Sequence, residues 1–362
     1  MKALKDKKQR DGMAYEMRMH RQASGGEAAA CPANVLPMKG AAVGKDGVLL
    51  MVMEEAKGGD LNTLAEATNA LSMAGLIPEA ARTAMVQRTM QQAVKGLQAV
   101  HAAGIFHFDM KALNCLMDAD GNVKITDFGI SKSLDAGGKA DSRGVEVTQI
   151  FAPPEHGCGK IDAANEVFWL GSMLQVMSSD LQTQGTKTKN NLTFTGSMTK
   201  TRTANADGTV HQQTALDQLR NAMLDPDPAK RPSFDSVLMS SYLSDVGNSY
   251  AKEDVDDLMK AVTAYNRQVG KQIQALTGDI DYVRGQIARE EAKFEELRKT
   301  GTPSAEQRDA FATKIRPWQD ELAEKTAEIA TINARPDVAP LLKAVQDASK
   351  PFGTQRVPGA VS

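Results

Sequence analysis

Cysteine is scarce: Cys31, Cys115 and Cys158 are the only three in 362 residues, widely spaced and odd in number. They form no disulfide framework and offer no zinc spacing, which points to a reducing compartment. Long apolar runs are lacking too. None approaches the ~20 residues needed to span a bilayer. The opening MKALKDKKQR carries charge where a secretory signal has its apolar core. Net charge is small, −2 at neutral pH, so nothing drives the chain as a whole toward nucleic acid or an acidic membrane. The basic cluster near the start (Lys2, Lys5, Lys7, Lys8, Arg10, Arg18 and Arg21) reads as a solvated helix face. Neither nucleic acid nor membrane is expected as a partner, and a soluble, cytoplasmic protein is.

What is present is a normal apolar fraction, 41%, enough for a packed core in a chain long enough for two domains. Residues 1–60 mix a charged helical pattern with apolar strands. Residues 61–245 hold helical patterns and motif-rich loops, and residues 250–350 are almost wholly helical in composition. A polar stretch at 178–213, rich in Thr, Lys, Asn and Gly, reads as a long exposed loop. Val255, Leu258, Val262, Tyr265, Val269, Ile273, Leu276, Ile280, Val283 and Ile287 recur every three or four residues, and Phe294 and Leu297 continue the stripe. The pattern breaks at Gly301. Thr302-Pro303 then looks like a cap and first helical turn. A second stripe, Phe311 to Ile332, contains Pro317, expected to kink it. The simplest arrangement is an antiparallel helical hairpin burying its own seam, with a coiled-coil-like partner surface or a buttress on the preceding domain as alternatives.

The chemistry gathers in His107-Phe108-Asp109-Met110-Lys111-Ala112-Leu113-Asn114 and Lys124-Ile125-Thr126-Asp127-Phe128-Gly129. Asp120-Gly121 between them is a tight-turn signal, so the flanking runs are expected to form a hairpin that brings Asn114 and Asp127 to one end of a cleft. Further along stand Phe151-Ala152-Pro153-Pro154-Glu155, Val167-Phe168-Trp169-Leu170-Gly171 and Asp225-Pro226-Asp227-Pro228-Ala229-Lys230-Arg231-Pro232. In order and spacing this set resembles the eukaryotic-like serine/threonine protein kinase superfamily, in a divergent style similar to bacterial and effector-type members. An effector of that kind would act in a host cytosol.

The resemblance implies an α+β, bilobal protein-kinase-like fold with a truncated small lobe and a mainly helical large lobe, followed by the helical hairpin. On that scheme the small lobe is residues 1–55, the large lobe 56–246 with its insert at 178–213, and the tail 250–350. The implied cofactors are ATP and Mg2+, and the implied substrate is a protein bearing Ser or Thr. Asp109 would accept the hydroxyl proton, Lys111 would offset charge on the transferring phosphate, and Thr148 would contact both. Asn114 and Asp127 would hold magnesium by hard oxygen atoms. Met53 would be the gatekeeper. Glu54 and Ala56 would offer hinge backbone to adenine, Asp60 would lie near the ribose, and Leu116 would pack under the ring. Arg231 would pair with Glu155. Lys2 and Glu16 would form the pair that anchors the nucleotide phosphates.

Three departures from the family's pattern stand out. No glycine-rich loop precedes the hinge, Phe108 replaces the usual arginine, and Glu166 stands where an aspartate usually braces the catalytic loop. The alternative function is a pseudokinase-like scaffold whose helical tail engages a helical partner through residues 250–350.

Overall fold

The computed structural model describes residues 7–26, 30–44, 48–178, 186–188, 191–193 and 214–353. Lys2 lies outside them, as does most of the polar insert. Within that insert only a short antiparallel ladder, β9 (Thr186–Thr188) with β10 (Asn191–Thr193), is described.

The described small lobe is one helix and one hairpin. Helix α1 (Lys7–Ala23) exposes Arg18 and Arg21 and turns Met17, Met19 and His20 inward. Strands β1 (Met38–Val43) and β2 (Leu49–Met53) pair antiparallel, with an irregularity between Met38 and Gly40. The link from α1 to β1 is tied to the large lobe. Ile125 N donates to Asn34 O and Leu36 N to Ile125 O, each at 2.9 Å.

After β2, Asp60 caps α2 (Leu61–Met73) by accepting Thr63 N at 2.9 Å, which satisfies one of the helix's open donors. Helix α3 (Glu79–Ala102) is the axis of the large lobe, with Ala84, Met90, Ala93, Val94, Leu97 and Val100 in the core. It leads into β3 (Ile105–Phe106) and the expected hairpin of β4 (Cys115–Met117) and β5 (Val123–Ile125). Two more short pairs follow. β6 (Lys132–Ser133) joins β3, and β7 (Ala140–Asp141) joins β8 (Lys160–Ile161). Helix α4 (Ala163–Ser178) is apolar on nearly every side, as a helix buried on all faces must be. Helices α5 (Ala215–Met223), α6 (Phe234–Leu238) and α7 (Ser241–Ser249) complete the lobe.

The tail differs from expectation in two ways. It has three helices: α8 (Lys252–Thr300), α9 (Ala305–Asn333) and α10 (Ala339–Gly353). Its seam does not close only on itself. Val255, Leu258, Val262, Tyr265, Val269 and Ile273 belong to the same hydrophobic core as α2, α3 and the β4–β5 hairpin. The first half of α8 is a buttress, and its outer part packs on α9, where Phe294 stacks on Phe311 at 4.4 Å. The cap of α9 is Ser304, not Thr302. Ser304 and Gln307 form a reciprocal capping box that satisfies two backbone donors at once. The helix continues through Pro317.

Candidate functional site

The residues expected to form the catalytic loop converge through direct contacts. Lys111 Nζ donates to Asp109 Oδ2 at 2.6 Å and to Thr148 Oγ1 at 3.1 Å. The Thr148 hydroxyl donates to Asp109 Oδ1 at 3.0 Å. Asn114 Nδ2 donates to Asp109 O at 2.8 Å and Oδ2 at 2.9 Å. Four residues spread over 40 positions of sequence thus share one carboxylate. Thr126 N donates to Asn114 O at 3.0 Å, which sets Asp127 beside Asn114 at the mouth of the β4–β5 hairpin.

The loop carrying Asp109 is held from behind. His107 is fully buried. Its Nε2 meets Thr126 O at 3.0 Å, so that nitrogen carries a proton, and its Nδ1 accepts Asp109 N at 3.2 Å. Glu166, at the start of α4 and also fully buried, accepts His107 N at 2.6 Å and Phe108 N at 3.1 Å through Oε1. The longer glutamate therefore reaches the amides that the resemblance assigns to an aspartate. Its other oxygen bonds His101 Nε2 at the end of α3. Burial works to depress the His101 imidazole, but the charge and hydrogen bond of Glu166 outweigh it and raise its pKa. His101 is a brace that sequence reasoning missed, because 65 positions separate it from Glu166.

Phe108 adopts φ +70°, a left-handed backbone that a bulky residue takes only when its surroundings impose it. The Glu166 grip supplies that constraint. The ring is buried against Phe106, His156 and Trp169, and Lys132 Nζ lies 5.8 Å from its centre. Asp127 is the other non-glycine residue at positive φ (+66°) among the described residues, and this turns its carboxylate outward into solvent. Next to it Phe128 is buried, its ring 4.9 Å from His20 and 5.0 Å from His107. Tyr15 adds a 2.6 Å hydrogen bond to Ser131 O. Helix α1 is thereby docked on the Asp127-Phe128-Gly129 segment. A Cβ on Gly129 would stand 3.6 Å from Glu16 Oε2, so the Glu16 carboxylate reaches this segment.

The residues expected to form the hinge follow β2. Met53 ends β2 opposite Met38. Glu54 N donates to Pro37 O at 2.9 Å, and its carboxylate pairs with Lys39 at 2.8 Å, which lowers its pKa. Asp60 spends one carboxylate oxygen on its helix cap. Leu116, half-buried, is bridged to Asp60 on the neighbouring strand position. Away from the cleft, Arg231 forks onto Glu155 at 2.5 and 2.9 Å, and Asn165 Nδ2 donates to the same carboxylate at 2.6 Å.

The residues fit a divalent cation. Asn114 directs its amide nitrogen to Asp109, leaving its carbonyl oxygen as a hard donor, and Asp127 presents an exposed carboxylate next to it. The family model for the protein kinase domain matches residues 1–243, which is most of the chain. The chain belongs to the protein kinase domain family. Among its relatives, the serine/threonine-protein kinase PknA of Mycobacterium tuberculosis is 33% identical over 129 residues, 35% of this chain and 28% of the relative. The probable serine/threonine-protein kinase CE0033 of Corynebacterium efficiens is 30% identical over 165 residues, 44% of this chain and 24% of its own. CBL-interacting protein kinase 30 of Oryza sativa is 38% identical over 93 residues, 26% of this chain and 17% of its own. The chain thus spans between 17% and 28% of the length of these three kinases. No helix among its described residues is long and apolar enough to cross a membrane.

Proposed function

We propose that this kinase domain transfers the γ-phosphoryl group of ATP to serine or threonine hydroxyls of a protein, with Asp109 as the base. The observation that carries the reading is the shared carboxylate: Asp109 is held by Lys111, Thr148 and Asn114 at 2.6 to 3.1 Å of one another. Asp109 Oδ1 keeps a lone pair for the substrate hydroxyl. That hydroxyl gives up its proton there, its oxygen bonds to the γ-phosphorus, and the bond to the bridging oxygen breaks to leave ADP. Lys111 places a cation where negative charge is transferred. Asn114 and Asp127 would hold magnesium, which screens the phosphate oxygens.

Hinge backbone at Glu54 and Ala56, with Met53 behind and Leu116 below, would receive adenine. Glu16 would orient a phosphate-anchoring lysine, for which Lys2 is the proposed residue. Next to Lys111, Met110, Leu113, Phe151, Met173 and Val176 line a small apolar hollow, and Leu113 is exposed. Such ground suits a peptide chain better than a small polar acceptor.

Asp109→Asn tests the assignment, since it keeps the shape and removes the proton acceptor. Transfer of radiolabelled phosphate to a generic peptide should fall at least about 100-fold with nucleotide binding kept. Near-normal turnover would remove Asp109 from the mechanism.

A further inference from the structure

We propose that Asn266, on the C-terminal helix α8, is a positioning residue for the nucleotide: it fixes the hinge at Gly58 in the form that receives adenine. The inference rests on the hinge reading of Glu54 to Ala56 given above. Asn266 is 4% exposed, and its Nδ2 donates to Gly58 O at 2.8 Å and to Thr63 Oγ1 at 3.2 Å. From the other side, Gly58 N donates to Met117 O and Met117 N to Gly59 O, both at 2.8 Å. The backbone around Gly58 is therefore gripped at its N–H by β4 and at its carbonyl by α8.

The fit at this point has no slack. A Cβ on Gly58 would stand 2.5 Å from Thr263 Cγ2 and 2.7 Å from Met117 Cβ. Gly121, in the turn of the catalytic hairpin, would bring a Cβ to 2.9 Å from the backbone of Met259. One face of α8 thus touches both the hinge and the hairpin that carries Asn114 and Leu116. The register is set further along by the buried Glu66 of α2, which accepts from Gln274 Nε2 at 3.2 Å and Thr277 Oγ1 at 3.3 Å.

Three local features of α8 run against helix stability, and they coincide. Asparagine is a poor helix former. The Asn266 Oδ1 atom is buried without a hydrogen-bond partner. Gly270 sits inside a 49-residue helix, where a Cβ would overlap that same Oδ1. The glycine makes room for the asparagine, and the asparagine serves the Gly58 carbonyl. Departures from local preference that share one beneficiary mark a functional contact.

The full chain carrying Asn266→Ala, Gly270→Ala or both provides the test. Mg·ADP affinity is measured by calorimetry, KM for ATP against kcat by steady-state kinetics, and hinge amide exchange over residues 54–60 without nucleotide. Each single variant should weaken ADP binding about fivefold, the worth of one neutral hydrogen bond. KM for ATP should rise in step while kcat and the peptide KM stay in place. Hinge amides should exchange faster, and the double variant should be no worse than the singles, since both remove one bond. Gly270→Ala separates positioning from plain stability, because alanine favours the helix: Tm should hold or rise while binding falls. Folded variants that bind ADP within about twofold of wild type, with unchanged hinge exchange, overturn the inference while leaving the kinase reading standing. A wild-type chain that binds no nucleotide overturns the hinge reading and this inference together.

Discussion

Glu166 accepts the backbone N–H of His107 at 2.6 Å with one oxygen and bonds the His101 imidazole with the other. The loop carrying Asp109 is therefore braced by a buried carboxylate whose charge is answered by a histidine. Because the His101 pKa is raised from 6.5, the stabilisation is full below that unfolded value and is lost as pH rises through the higher folded one. Relative to His101→Gln, which lacks the titration, wild-type protein should lose stability as pH rises above 6.5, the unfolded value, and through the raised folded one. Glu166→Gln should cost about 3 kcal/mol at neutral pH, as expected of a broken buried pair. Parallel denaturation profiles for wild type and His101→Gln would dismiss the pair as a source of pH dependence.

Asp127→Ala removes an exposed carboxylate that makes little other use of its oxygens, the nearest donor being Gly129 N at 3.5 Å. Its fold should survive within about 1 kcal/mol. The magnesium dependence of nucleotide binding should shrink, measured as the ratio of ATP affinities with and without the metal. An unchanged ratio would take Asp127 out of the metal site.

Phe108 leaves no arginine to receive a phosphate, and its ring is packed in an aromatic cluster with His156 and Trp169. The segment following Gly129 is held by contacts of its own, the Lys160–Asp135 ion pair at 2.5 Å among them. Ser142 Oγ donates to Gly159 O at 2.6 Å and accepts Gly157 N at 3.1 Å, and His156 Nε2 bonds Val145 O at 3.0 Å. Ser131 and Ser142 are buried, so of the three serines between Gly129 and Glu155 only Ser133 is open to modification. Phosphatase treatment should change activity by less than about twofold. Silencing by phosphatase, with recovery on rephosphorylation of Ser133, would contradict this.

Removal of residues 250–362 should abolish cooperative folding of the lobe. Sequence periodicity favoured the opposite, a dispensable hairpin. In the structure Leu258, Val262 and Tyr265 are fully buried in the lobe's core, so deletion opens that core to water. A sharp calorimetric transition from the shortened chain would show that the lobe closes without its buttress.

The contacts within the loop proposed as catalytic were legible because their information is local. Asp109, Lys111 and Asn114 lie within six positions of one another, and the Asp120-Gly121 turn dictates a hairpin that returns Asp127 to Asn114. Spacing of that kind is dictated by backbone geometry, which sequence carries directly. The Arg231–Glu155 pair was legible only through family resemblance, since nothing between the two residues encodes the contact.

The tail shows where reading along the chain stops. A period of three or four residues specifies that α8 has a buried face but not what covers it, because α2, α3, α9 and α10 all satisfy the same hydrophobic demand. The cap at Ser304 competes with Thr302 on propensity alone, and the reciprocal bonds with Gln307 decide it. Glu166 reaching His101, and Asn266 reaching Gly58 across 208 positions, depend on helices brought together by core packing. The sequence by itself determined the helices, the catalytic hairpin and the chemical groups. Tertiary packing alone decided which buried polar atoms meet, because a hydrogen bond needs two groups within about 3 Å, and only the closed core brings them there.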